Sequence, residues 1–103
     1  MKRFFLLAIL LASNASAFAA DHVVVQKDRR FHPGNITIAK GDSVTFTNDD
    51  EFIHQIFLDG AAFHFDTKEK VPGESDTEIF TQAGTFEVRC HIHPKMKFSV
   101  TVK

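Results

Sequence analysis

The sequence predicts an all-β protein, a sandwich of about seven short strands. Three observations carry that expectation. Apolar residues recur at every second position rather than at the 3.6-residue spacing of an amphipathic helix. Turn signals cut the chain at short intervals, most clearly at His32-Pro33-Gly34-Asn35, Lys40-Gly41-Asp42, Pro72-Gly73 and Ala83-Gly84. No stretch offers a convincing helical face.

Taken in chain order, residues 1–19 stand outside the fold. Lys2 and Arg3 open the chain with positive charge, Phe4 to Ala12 is unbroken apolar sequence, and small and polar residues follow from Ser13 to Ala20. That is the three-part pattern of a secretory signal peptide. Ala17-Phe18-Ala19 gives the small-x-small cleavage pattern, so the cut is expected after Ala19. The apolar run is too short to cross a bilayer, which takes ~20 residues. No later segment is long enough either. The expected product is an exported, soluble domain of residues 20–103.

His22–Lys27 is the first strand of that domain. Ile36 and Ile38 then alternate with Thr37 and Ala39, and Val44 and Phe46 with Ser43, Thr45 and Thr47. Ile53–Leu58 is a further strand, and Thr77–Phe80 a weaker one. Phe86, Val88 and Cys90 alternate with Thr85, Glu87 and Arg89, and Phe98, Val100 and Val102 with Ser99, Thr101 and Lys103. Each set puts β-branched or aromatic residues on one face and polar residues on the other, as half-buried strands do. Asp59–Asp76 reads as a loop with room for one short strand.

Composition narrows the function. Twelve Lys and Arg against 13 Asp and Glu give a near-neutral chain, which argues against nucleic acid as a partner. A single Cys excludes an internal disulfide and any Cys-rich zinc or iron–sulfur site. A domain this small usually gains support from disulfides or a metal. With disulfides ruled out, a metal is the more attractive support.

The chemistry concentrates in Cys90-His91-Ile92-His93-Pro94-Lys95-Met96. Alternation through Phe86 and Val88 sends Cys90 inward at the end of its strand. Cys90, His93 and Met96 are each three residues apart, so one tight loop can bring all three side chains to one point. His54, set among Phe52, Ile53, Ile56 and Phe57, is the natural fourth donor. Singly, each has a plain reading: a buried small hydrophobe, a structural histidine, a core methionine. Together, two imidazoles, one thiolate and a weak axial thioether suit copper that cycles between two oxidation states. Zinc gains little from methionine.

These residues make the chain resemble the cupredoxins, the type 1 blue copper proteins, most of all their amicyanin, pseudoazurin and plastocyanin branches. The ligand loop Cys-x-x-His-Pro-x-Met carries the likeness. So do Phe31 to Ile38, Gly41 to Asn48, His54, and Ala83-Gly84-Thr85-Phe86 leading into Cys90. The resemblance implies a Greek-key sandwich and one type 1 copper ion. His54, Cys90 and His93 would form the trigonal plane, with Met96 axial. It further implies a monomeric periplasmic carrier, not an enzyme, shuttling single electrons between redox proteins of cytochrome, dehydrogenase or oxidase type. His93 would be the electron's doorway. Short ligand loops in this family can also let that imidazole swing free when the reduced form is protonated. The rival reading is a periplasmic copper-storage or delivery protein that uses the same ligands without redox shuttling.

Some residues depart from the family pattern or stand apart from it. Gln55 follows His54 where the family has Asn; it either reproduces the tie between the ligand segments or leaves the site looser. His91 is expected to point away from the metal, exposed and unligated. Lys95 and Lys97 read as solvated lysines, with steering of an acidic partner as the alternative. With the cut after Ala19, Ala20-Asp21-His22 would offer a square-planar nitrogen set for Cu(II) or Ni(II), against the plainer reading of a chance histidine. Asp49-Asp50-Glu51 reads as a solvated turn. His32 and His64 read as structural or exposed.

Overall fold

The computed structural model describes residues 19–103. The signal pattern, all but Ala19, lies outside those residues. Nine strands follow in order: β1 (Asp21–Lys27), β2 (Arg30–His32), β3 (Asn35–Ile38), β4 (Ser43–Asn48), β5 (Ile56–Asp59), β6 (His64–Asp66), β7 (Ser75–Ile79), β8 (Gly84–Cys90) and β9 (Lys97–Val102). None of the described residues is helical, and no helix among them is long and apolar enough to cross a membrane.

The strands form two mixed sheets, ordered β2-β1-β4-β7 and β3-β9-β8-β5-β6. β1 runs parallel to β4, and β3 parallel to β9; the other pairings are antiparallel. The cis peptide His32-Pro33 lies where the chain leaves the first sheet for the second. β2 has no counterpart in the sequence reading, because three residues are too few to show alternation. It exists through a two-residue hairpin turn, Asp28-Arg29, that pairs Lys27 with Arg30. The loop strand expected between Asp59 and Asp76 is β6.

The alternating residues meet in one core. Val24, Phe31, Val44 and Phe46 come from the first sheet, and Ile56, Val88, Phe98, Val100 and Val102 from the second. Phe31, Phe46, Phe98, Phe65, Phe63, Phe80 and Phe86 make a continuous run of ring contacts through it. Truncating a ring as buried as Phe98 costs about 3–5 kcal/mol. The edge strand β7 turns two acids inward: Asp76 lies across from Phe46, and Glu78 from Val44. Inward charge on an edge strand discourages pairing with another chain. Burial first, then a hydrogen bond that protonated Glu78 donates to Asp76 and the like charge of Asp76, push Glu78 up to about 8.

Candidate metal centre

β5 and β8 bring the first two donors together. Their register sets Ile56 opposite Cys90, so both side chains face the core. His54 stands two residues before Ile56 and shares its face by alternation. The expected strand at Ile53–Leu58 is shorter than read, because His54 pairs instead with Lys70. Their amides and carbonyls exchange two bonds, of 3.1 and 2.8 Å. That bridge fixes the His54 backbone on one side while β8 holds Ile56 on the other.

The third donor comes from the loop between β8 and β9. The Met96 amide donates to the His93 carbonyl at 2.9 Å, closing a turn over residues 93–96. Pro94 fills the second position of that turn, where its fixed φ is pre-set. The turn points His93 back toward Cys90 and buries Met96 before β9 begins. The His91 amide donates to the Gln55 carbonyl at 2.8 Å, so the two donor-bearing segments are tied through the main chain.

The donor atoms form a triangle. Cys90 Sγ lies 3.6 Å from His54 Nδ1 and 4.0 Å from His93 Nδ1, and the two nitrogens are 3.3 Å apart. An ion about 2.0–2.1 Å from each nitrogen and about 2.3 Å from the sulfur, with angles near 120°, sets donors about 3.5–3.8 Å apart. The triangle therefore fits one ion. Cys90 and His54 are buried and His93 is half-buried. Among the described residues this is the one group of three or more His, Cys or acidic side chains with such spacing.

Asp50 decides which way His54 faces. Asp49 and Glu51 are exposed, as expected of a solvated turn, but Asp50 is buried, and its Oδ2 lies 3.0 Å from His54 Nε2. Burial pushes the Asp50 carboxyl up. Hydrogen bonds from the Arg29 amide, the His54 ring and the Glu51 amide outweigh it and bring the pKa down to about 2. An ionised carboxylate can only accept, so His54 Nε2 carries the proton and Nδ1 keeps its lone pair for the triangle. Asn48 builds the pocket around this pair. Its Oδ1 accepts from the Asp50 amide, and its Nδ2 donates to the Phe52 and Lys70 carbonyls. The signal available in the sequence was an acid four residues before a histidine in apolar surroundings.

His93 is held differently. Its ring meets Phe52 and His54 edge to face, with centroids 5.9 and 5.0 Å away. Burial first, then the neighbouring His54 ring and Arg29, lower its pKa, with Asp50 opposing them. Arg29 sits over the Phe52 ring, 4.3 Å from its centroid. Its amide donates to Asp50 at 2.7 Å.

The remaining residues fall outside the triangle. His91 turns to the outer face, where it stacks on Phe57 at 3.8 Å and meets Asp66 at 3.2 Å. The Gln55 side chain donates to the same Asp66, so the amide that differs from the family pattern faces away from the site. His22 contacts Asp42 at 3.0 Å and extends within β1, paired with Val44. His32 contacts the Lys27 carbonyl, and His64, Lys95 and Lys97 are exposed.

Known proteins share this architecture. The family model described as a cupredoxin-like domain matches residues 3–102. The methylamine utilization protein MauL of Methylorubrum extorquens is 33% identical over 104 residues, covering 94% of this chain and 89% of that protein. The chloroplastic plastocyanin of Tetradesmus obliquus is 38% identical over 72 residues, covering 61% of this chain. The chain spans 50% of that plastocyanin's length. An oxidised amicyanin variant superposes with a TM-score of 0.74 at 22% identity, over 80% of this chain and 81% of that one.

Proposed function

The chain belongs to the cupredoxin-like family, and from that premise we propose that it carries single electrons between exported redox proteins. One copper ion would be held by His54, Cys90 and His93, with Met96 as a weaker fourth donor. When bound, copper supplies a one-electron couple between Cu(II) and Cu(I).

The observation that supports this most is the triangle of Cys90 Sγ and the two Nδ1 atoms, 3.3 to 4.0 Å on a side. The protein's part is to hold that triangle nearly unchanged in both oxidation states. The His54 bridge to Lys70, its bond to Asp50 and the pairing of Ile56 with Cys90 all serve that end. His93 brings its ring to the surface and would pass the electron to a partner. The role is that of a carrier rather than an enzyme. The leader pattern supports export to the periplasm after cleavage at Ala19. β1 begins at Asp21, just past that point.

The test is the visible spectrum of the purified protein with one equivalent of Cu(II), beside Cys90→Ala. An intense blue band that bleaches on reduction and is absent from the variant is expected. A colourless protein that prefers Cu(I) and yields it to an acceptor would reassign the chain to copper storage or delivery.

A further inference from the structure

We propose that Asp42 is the receiving site for the α-ammonium that leader cleavage after Ala19 creates, so that processing locks the end of the sandwich farthest from the metal centre. The proposal rests on the cut after Ala19 in the reading above and is independent of the copper. Asp42 is buried, 7% exposed, in the turn between β3 and β4. Its Oδ1 lies 3.0 Å from the Ala20 nitrogen. Its Oδ2 lies 3.0 Å from both the Ala39 amide and His22 Nε2. Among the described residues the one ion pair that Asp42 enters is with His22, which is charged only when protonated. A buried carboxylate is thus left without a permanent cation, an arrangement that costs free energy.

The sequence brings the missing charge to that place. Ala20 is the first residue after the expected cut, and β1 begins at Asp21. With the leader attached, the Ala20 nitrogen is a neutral amide with one hydrogen. Hydrolysis of the Ala19–Ala20 peptide bond by a leader peptidase consumes one water. It leaves a carboxylate on Ala19 and an ammonium, with three hydrogens, on Ala20. The neutral bond to Asp42 then becomes a charge-assisted one, roughly twice as strong. The bond from the Ala20 nitrogen already leads those that hold Asp42 down to about 2, ahead of His22 and Ala39, with burial opposing. The position of the cut matters to the residue. A cut after Ala20 would remove the carbonyl that accepts from the Ser43 amide at 2.9 Å. It would also move the ammonium to Asp21, whose own carboxylate is engaged by Ser43 and Thr45.

The turn that Asp42 occupies gathers the ends of the fold. The Lys40 amide donates to the Lys103 carbonyl at 3.1 Å, and the Gly41 amide to the Phe80 carbonyl at 2.7 Å. The Phe80 amide returns a bond to the Asp42 carbonyl at 2.9 Å. The start of β1, the approach to β8 and the end of β9 are therefore fastened around one carboxylate. The seven residues of β8 set this end about 20 Å from Cys90. A small domain without disulfides gains a fastening here that needs no metal, and gains it once the leader is gone.

The experiment compares three metal-free chains by thermal unfolding. One begins at Ala20, one is the same chain with its α-amine acetylated, and one retains Ser16 to Ala19 ahead of it. The first is expected to melt about 4–8 °C above the other two. In Asp42→Asn the three should melt together. Equal melting temperatures with Asp42 in place would overturn the clasp and leave the cut standing. A second measurement holds even where Asp42→Asn does not fold: the rate at which acetic anhydride modifies the Ala20 amine. It should be severalfold slower in the folded chain than in the peptide Ala-Asp-His, and an equal rate would overturn the clasp. The mass of the exported protein gives the cut itself, and any first residue other than Ala20 would overturn clasp and cut together. The blue band of the copper-loaded protein should be the same in all three chains. Its absence from all of them is a separate result and strikes the carrier reading alone.

Discussion

Two imidazoles face one sulfur from opposite kinds of surroundings. His54 is 1% exposed, bridged through its main chain to Lys70 and bonded through its ring to a buried carboxylate. His93 sits on a turn, half-buried, with ring contacts to Phe52 and His54 and an open hollow beside it. The sandwich supplies one side of the centre and a loop supplies the other. A carrier needs both: a fixed frame that keeps the donors in place, and an edge that a partner can reach.

The sharpest way to break this comparison is to delete each ring in turn. His54→Gly leaves the buried Asp50 with only the Arg29 and Glu51 amides as partners and should cost about 1–3 kcal/mol in denaturant unfolding of the metal-free protein. His93→Gly should cost far less and leave a gap open to solvent. Added imidazole should then restore visible absorption in His93→Gly and not in His54→Gly. Equal rescue in both would show that the frame and the edge are not distinct.

The supports come next. Asp50→Ala should weaken copper binding about 10–100-fold in a chelator competition, since it frees the His54 ring from its tautomer and orientation. Phe52→Ala removes an edge-to-face neighbour of His93 and the ring beneath Arg29, and should cost about 0.5–1.5 kcal/mol. A larger loss of affinity in Phe52→Ala would reverse the assignment of frame and edge.

Acid should act on the frame first. The folded-state pKa of Asp50, about 2, lies below its ordinary value of 3.8. Its stabilising contribution is therefore complete above about pH 4 and disappears as pH falls toward 2. Unfolding of the metal-free protein followed from pH 5 to pH 2 should show this loss, and Asp50→Asn should flatten that limb.

The smallest effect on the donor triangle belongs to β7, remote from both rings. Glu78 is raised from 4.5 to about 8, so its contribution is complete below about pH 4.5 and is lost as pH rises through 8. Glu78→Gln should raise the melting temperature at pH 8, leave it unchanged at pH 4.5, and alter neither copper binding nor colour.

Much of this was legible in the sequence because it is local. Alternation over Val44–Thr47, Phe86–Cys90 and Phe98–Val102 is a direct consequence of strand geometry, and it placed the core. The spacing of Cys90, His93 and Met96 is local too, and the Pro94 turn realises it. What escaped reading was non-local. Asp50 looks like part of a solvated acidic run. It is buried because the Arg29 amide, 21 residues away, and the Asn48 side chain both bond to it. β2 is invisible for a similar reason: its three residues make a strand only by pairing with β1. The Gln55 side chain turned to Asp66, a partner 11 residues on and across a strand pair that the loop-like sequence between them concealed.

The aromatic interior bears on where charge can travel. Every aromatic ring in the chain other than histidine is phenylalanine; there is no tryptophan or tyrosine. A benzene ring is far harder to oxidise than an indole or a phenol. The packed rings behind the sulfur thus offer no stepping stone for a stray hole, and the far end of the sandwich behaves as an insulator. For the carrier proposed above, that leaves the ligand edge as the short passage for charge.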